Sequence, residues 1–442
     1  MRVSTSQIYD NGISGITSNQ ATLYKTQAQL AAGRRVLTPS DDPVASARAL
    51  VVTQSLNVSE RYIENQTTAN SSLALVEGYT QSAVNLIQNV RERLVEAGNT
   101  SLTNSDRQAI ATELEARLQE LVGLANSQDG AGRYLFSGYM SSTTPFSTDS
   151  TGKITYNGDS GERLLQVEAT RFMPASVAGD DLFVNSRMGN GTFETRTGGN
   201  LSVNGAPPPA YTNNGYNTGT AMVTPGSVSD PAKWASANNP RDFMVRFSVA
   251  TAADGTKTTT YRLYDNRNPA NPVDISGAAQ PYVAGQAIAL ADNTAVPVED
   301  YGGSFIVKGA PNDGDSFTVT PSGTQSLFAT LENAIAALNT PVGTTYTSTQ
   351  LVNDIAAELS NIDQNLDNVN RVQAKLGARM NELDSLQATS ESVSVQYKTT
   401  ISGLVDLDYA KAISDFAKQQ TQLEAAQASY AKIMQLGLFN YL

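Results

Sequence analysis

Acidic pairs are the first residues of this chain that could do chemistry. Two carboxylates held close together can divide acid and base roles or take up a cation. Asp41 and Asp42 lie in Pro39-Ser40-Asp41-Asp42-Pro43, Asp406 and Asp408 flank Leu407, and Asp313-Gly314-Asp315 resembles a fragment of a calcium loop. Each has a plainer reading in its own surroundings. Ser40, Asp41, Asp42 and Pro43 stand just before a long helical pattern, where an Asp or Ser side chain caps free N–H groups and proline suits the first turn. Asp406 and Asp408 punctuate the join between two helical segments in the same way. A calcium loop needs several more spaced oxygen ligands, so Asp313-Gly314-Asp315 reads as a turn. Gly189-Asn190-Gly191 lacks the third glycine of a dinucleotide loop, and no Walker sequence occurs.

The 442 residues include no cysteine and no histidine. That removes thiol nucleophiles, imidazole acid–base catalysis and most zinc, haem and iron–sulfur sites. No catalytic residue, metal or cofactor is expected. A net charge of −12 argues against a nucleic-acid partner, whose phosphates need a basic face. No apolar run reaches the ~20 residues that span a bilayer, so membrane insertion is not expected. The opening MRVSTSQIYDNGISG lacks the apolar core of a secretory signal. An extracellular destination would then require a route that cleaves no leader.

The elements that position these residues follow from composition and period. Residues 1 to about 136 and about 325 to 442 are rich in Ala, Leu, Gln, Glu and Arg with helical spacing; Gly, Pro, Asn, Thr and aromatics dominate between them. The expected class is α+β: a long antiparallel helical bundle or coiled coil made from both chain ends, with a β-rich insertion. In the first segment Tyr9, Ile16, Leu23 and Leu30 recur every seven residues, with Ile13, Gln20 and Gln27 as the companion row of a coiled-coil seam. Near the other end Tyr409, Phe416, Leu423 and Tyr430 repeat likewise, accompanied by Ile413, Gln420 and Gln427. The two seams are expected to pair.

Longer helices are expected over 45–97, with Leu73, Val76, Thr80, Ala83, Ile87, Val90, Leu94 and Ala97 inward, and over 350–402, with Ile355, Leu359, Ile362, Leu366, Val369, Gln373, Leu376, Met380 and Leu383 inward. A third begins at a Ser105–Gln108 capping box and ends before Asp129-Gly130. Alternation at Phe243, Val245, Phe247 and Val249, resuming at Tyr261 and Leu263 beyond Asp254-Gly255, predicts a hairpin. Phe305 and Val307 with Phe317 and Val319 are expected to flank the Asn312-Asp313-Gly314 turn in the same way, and residues 189–242 to form loops of a second small subdomain. The domains so expected are paired terminal helices (1–44 and 403–442), a helical bundle (45–140 and 321–402) and a β-rich insertion (141–320).

The terminal helices are unusual in their charge. From Gly12 to Gly33 the only charged side chain is Lys25, and from Phe416 to Leu442 there are only Lys418, Glu424 and Lys432. A solvated helix normally carries many more. Uncharged polar backs of Gln, Ser, Thr and Asn suggest helices covered on several sides, as in an assembly.

At these residues the sequence resembles the flagellin superfamily, and within it the proteins of the hook–filament junction. The resemblance runs through Gln29-Leu30-Ala31-Ala32-Gly33-Arg34-Arg35-Val36 into Pro39–Pro43, then Asn104–Arg107 and Arg133–Gly138. It resumes from Val405 to Ala410, through Gln419-Gln420 and Gln422–Gln427, to Leu438-Phe439-Asn440-Tyr441-Leu442. It implies a structural subunit joining hook to filament and not an enzyme, exported unfolded through the flagellar type III channel to the extracellular flagellum without a cleaved signal peptide. It further implies a homo-oligomeric ring that self-assembles through the terminal helices. The neighbours so implied are another hook-associated protein and flagellin or filament cap subunits, and a cytoplasmic export chaperone holds the C-terminal region. Leu436, Leu438, Phe439, Tyr441 and Leu442 are the expected chaperone and export tail. Filament flagellin, and a secreted adhesin with a binding insertion, are the alternatives that the residues leave open.

Overall fold

The computed structural model describes residues 5–204, 210–213 and 215–435. It has the expected α+β class. Six long helices are α1 (Thr5–Ala32), α2 (Pro43–Ala97), α3 (Asn104–Ala125), α4 (Leu327–Asn339), α5 (Ser348–Val405) and α6 (Tyr409–Gln435). The seven principal strands are β1 (Phe193–Asn204), β2 (Ala210–Asn213), β3 (Phe243–Thr251), β4 (Lys257–Asp265), β5 (Ala287–Asp292), β6 (Glu299–Lys308) and β7 (Asp315–Pro321). The chain divides into two compact units. One holds residues up to Thr67, Gln166–Phe172 and those from Leu383; the other holds Thr68–Leu165 and Met173–Glu382.

In the first unit α2 and α5 run antiparallel, tied by Glu60–Lys398 at 3.0 Å and by Gln66 Nε2 donating to Ser390 Oγ at 3.1 Å. A β-hairpin lies against them, because Asn65 and Gln66 each donate a side-chain N–H to the carbonyls of Gln166 and Val167 at 2.8 Å.

In the second unit the inward row of α2 is as the spacing predicts: Leu73, Val76, Thr80, Ala83, Ile87, Val90, Leu94 and Ala97 are all buried. On α5 the sevenfold row Ile355, Ile362, Val369, Leu376 and Leu383 is buried, but Leu359, Leu366, Gln373 and Met380 are only partly covered. Beside that row six polar residues are buried, Gln350, Asn353, Glu358, Asn361, Asn365 and Asn368, together with Leu351 and Val372. Gln350, Asn353, Glu358 and Asn361 bond to the β domain, whereas Asn365 reaches Thr330 of α4 and Asn368 the segment ahead of that domain. Asn353 Oδ1 accepts from Val223 N at 2.9 Å while its Nδ2 donates to Ala221 O at 3.0 Å. Asn361 Oδ1 accepts from Gly189 N at 2.8 Å, and Asn368 Nδ2 donates to Asp181 O at 2.8 Å. A primary amide presents the same donor and acceptor as a peptide group, so these side chains satisfy backbone groups that would otherwise be buried without partners.

Helix α3 starts two residues earlier than its expected box. Thr103 is the N-cap, and Thr103 and Asp106 exchange the reciprocal bonds of the capping box; Ser105 and Gln108 do not form it. Asp106 serves as well as Gln108 because a short carboxylate reaches the N-cap N–H from the third position. Phe136, Phe146, Phe183 and Phe328 cluster beside α4, with centroids 4.8 to 5.9 Å apart.

In the β domain one sheet runs Val273–Asp274, β4, β3, β7, β1, β2, and the other runs β5, β6 and the short strand Met222–Val223. The β3–β4 hairpin has the expected turn, closing at Thr251 opposite Lys257. β6 and β7 do not form a hairpin: β6 pairs with β5, and β7 pairs with β3 and β1 in the other sheet. The buried carboxylate of Asp315 explains the crossing. It accepts N–H groups from Thr218, Gly219 and Asn312, each at 2.8 Å, and pins the loop between the sheets. Phe305 and Val307 then meet Phe317 and Val319 across a shared core, which also takes in Phe193, Val223 and Trp234. Of residues 189–242, Phe193, Ala221, Val223 and Trp234 join this core, while Leu201 packs in a second small cluster with Met244 and Tyr264. Its two chain crossings form a narrow neck, where Ser186–Arg187 pairs antiparallel with Thr324–Gln325 and Met188 N donates to Gly323 O at 3.1 Å.

Candidate assembly interface

Two loops fix the terminal helices, α1 and α6, in the first unit. Gly33 ends α1 with φ of 68°, a conformation that favours glycine. The chain then pairs with the α5–α6 loop: the Arg34 backbone lies antiparallel to that of Asp406, Arg35 N donates to Val405 O at 2.8 Å, and Leu407 N donates to Gly33 O at 3.1 Å. Arg35 adds a side-chain bond to Leu404 O at 2.7 Å and an ion pair with Asp42 at 3.0 Å.

The acid pair divides its work. Asp42 is the N-cap of α2: its Oδ1 accepts from Ala45 N at 3.0 Å, and Pro43 opens the helix. Hydrogen bonding from Ala45 N–H, then from Arg35, lowers its carboxyl pKa. Asp41 caps nothing in the helix. It accepts Leu37 N at 3.0 Å and Thr38 N at 2.9 Å, and it holds Lys25 at 2.8 Å, whose hydrogen bond is the main cause of a strongly lowered pKa. Ser40 reaches only the Thr38 hydroxyl, at 3.0 Å. Asp408 caps α6 through Lys411 N at 3.1 Å. Among the described residues no cluster of three or more Asp or Glu could hold a metal ion.

The helices pair antiparallel. Tyr9 meets Tyr430 edge-on at 6.5 Å, and a Cβ on Gly33 would lie 2.8 Å from the Tyr409 hydroxyl. Of the sevenfold rows, Tyr9, Ile16, Leu23, Leu30, Phe416, Leu423 and Tyr430 are partly covered along the seam, whereas Tyr409 is exposed. The companion rows differ. Ile13, Gln20 and Gln27 are exposed, and so are Ile413, Gln420 and Gln427. The seam uses the preceding residue each time: Gly12, Asn19 and Thr26 on α1, and Ala412, Gln419 and Ala426 on α6. Small side chains let the helices approach closely, and a Cβ on Gly12 would come within 2.7 Å of the Tyr430 ring.

This shift turns a second, almost uncharged face outward. Ile13 and Ile413 are 53% and 58% exposed, with Gln20, Gln27, Gln420 and Gln427 on the same helices. Lys25, Arg35, Asp408, Lys411 and Asp415 instead gather round one groove beside the loops. The tail residues Leu436, Leu438, Phe439, Tyr441 and Leu442 lie outside the described residues.

The bacterial flagellin N-terminal helical region matches residues 3–141, and the bacterial flagellin C-terminal helical region matches residues 359–442. Flagellar hook-associated protein 3 of Escherichia coli (strain K12) is 26% identical over 443 residues, covering 99% of both chains. The crystal structure of the flagellar junction protein FlgL from Legionella pneumophila matches with a TM-score of 0.65 at 30% identity, covering 81% of this chain and 100% of that one. The flagellin of Bacillus subtilis is 26% identical over only 140 residues, 31% of this chain and 46% of its own.

Proposed function

The chain belongs to the flagellin-like family of flagellar hook-associated protein 3, and from that membership we propose that it is the structural subunit joining hook to filament and not an enzyme. Its full-length likeness to hook-associated protein 3, against a partial likeness to flagellin, favours this over a filament subunit. In this reading the subunits form a homo-oligomeric ring outside the cell, between a further hook-associated protein and flagellin or cap subunits. An export chaperone holds the C-terminal region beforehand.

The observation that carries the self-assembly is the charge-poor outer face of the α1–α6 pair, where Glu424, 3.5 Å from the Gln420 amide, is the acid among the glutamines. Ile13, Ile413 and four glutamines offer apolar contact and amide hydrogen bonds, at a smaller desolvation cost than a heavily charged helix face would carry. Electron microscopy of a strain deleted for this gene tests the assignment. Hooks without filaments that regain them with the intact gene are expected. Normal attached filaments in the deletion strain would overturn it. Complementation with Ile413→Asp should leave filaments detached.

A further inference from the structure

Three carboxylates and one guanidinium meet where α5 carries the β domain. Arg196 on β1 donates to Glu194 at 2.6 Å and to Glu358 of α5 at 2.9 Å. One turn earlier on α5, Asp354 accepts Tyr346 Oη at 2.7 Å and Gln350 Nε2 at 2.8 Å. Glu194 and Glu358 are 8% and 2% exposed, so water screens neither well. Gln325 donates to Glu358 at 3.1 Å, as does Asn361, and both are neutral. Tyr346 stacks edge-on with Tyr216. Arg107 of α3 is the other cation, and it acts on Tyr346. Acids outnumber the cation that touches them.

We propose that this cluster is an acid-tightened latch, in which one proton taken up by the surplus carboxylates strengthens the hold of α5 on the β domain. Burial raises the Glu194 carboxyl pKa despite Arg196, and burial raises that of Asp354 despite its two hydrogen bonds. The sign follows from linkage. An acid whose folded pKa is raised penalises folding while it is ionised, so stability grows as pH falls from neutral through the folded pKa. The capping and loop acids act in the opposite sense. Asp42, Asp106, Asp159 and Asp300 have lowered pKa values, and their contribution is lost only as pH falls below the ordinary 3.8 and on through the folded values. Asp242, whose carboxyl pKa burial also raises, acts in the same sense as the latch, and variants of the latch acids tell the two apart.

Trp234 is the only tryptophan of the chain and sits in the β-domain core, so its fluorescence reports this region alone. Thermal unfolding of the full chain is followed at pH 8 and at about pH 5.5 for the wild type, Glu194→Gln and Asp354→Asn. The wild-type midpoint should be higher at the lower pH by about 2–4 °C. Glu194→Gln should raise the midpoint at pH 8 and shrink the difference, as should Asp354→Asn. If Glu194→Gln does not fold, the Asp354→Asn comparison decides. A wild-type difference that persists unchanged in the variants that fold, or one of the opposite sign, overturns the latch.

Discussion

Asn353 does what a strand neighbour does. Buried on a helix, it accepts from Val223 N and donates to Ala221 O, closing two backbone groups that neither sheet reaches. Nothing in the sequence distinguishes it from asparagines that face solvent, because its role depends on a short strand 130 positions away. Leucine has the same branched heavy-atom shape and offers neither group. Asn353→Leu should therefore leave a buried donor and acceptor unpaired, at a cost of about 2–3 kcal/mol. Denaturant unfolding read by Trp234 fluorescence checks this, and an unchanged midpoint would mean that water replaces the amide. Asp41 and Asp42 teach a related lesson. Their motif marked a helix start correctly, but only Asp42 and Pro43 act there, while Asp41 and Ser40 organise the loop.

At the scale of elements, the sevenfold rows were legible and the companion rows were not. Positions three and four residues after each heptad residue are both stereochemically eligible, and here Asn19 competes with Gln20, Thr26 with Gln27, and Ala426 with Gln427. Polarity cannot choose between two polar residues. Ile13 looked the better seam residue than Gly12 because burial favours isoleucine, yet close approach favours glycine. The same one-residue shift recurs on α5, where Glu358, Asn365 and Val372 are buried beside half-covered Leu359, Leu366 and Gln373. Packing against a polar β-domain edge overrode the apolar pattern. The two positions should separate experimentally. Gly12→Leu forces a side chain into the Tyr430 ring and should loosen α1 from α6 by about 1–3 kcal/mol, seen as faster amide exchange in the free chain. Ile13→Asp should leave that exchange unchanged and instead block filament attachment. Equal behaviour in both assays would mean that the two faces of α1 have one role.

At the scale of the molecule, the β domain is reached through one neck. Its removal at Met188 and Ser322, with a short Gly/Ser turn in place, exposes Gln350, Asn353, Glu358 and Asn361 on α5. These side chains are as well satisfied by water as by the β domain, so the shortened chain should stay soluble and keep its helical circular dichroism. Aggregation would mean that the sevenfold row on α5 is uncovered too. The neck also bears on how fast the molecule forms. Met188 and Ser322 are joined by hydrogen bonds although 134 positions apart, so they must close a long loop. Bringing such ends together costs about 4 kcal/mol of chain entropy before any contact compensates. A β domain that forms first meets that cost with its own core and delivers both strands of the neck already side by side. Shortening the loop should then accelerate refolding of α4 and α5 onto α3, measured by stopped-flow circular dichroism. Unchanged rates would place neck closure after the slowest step.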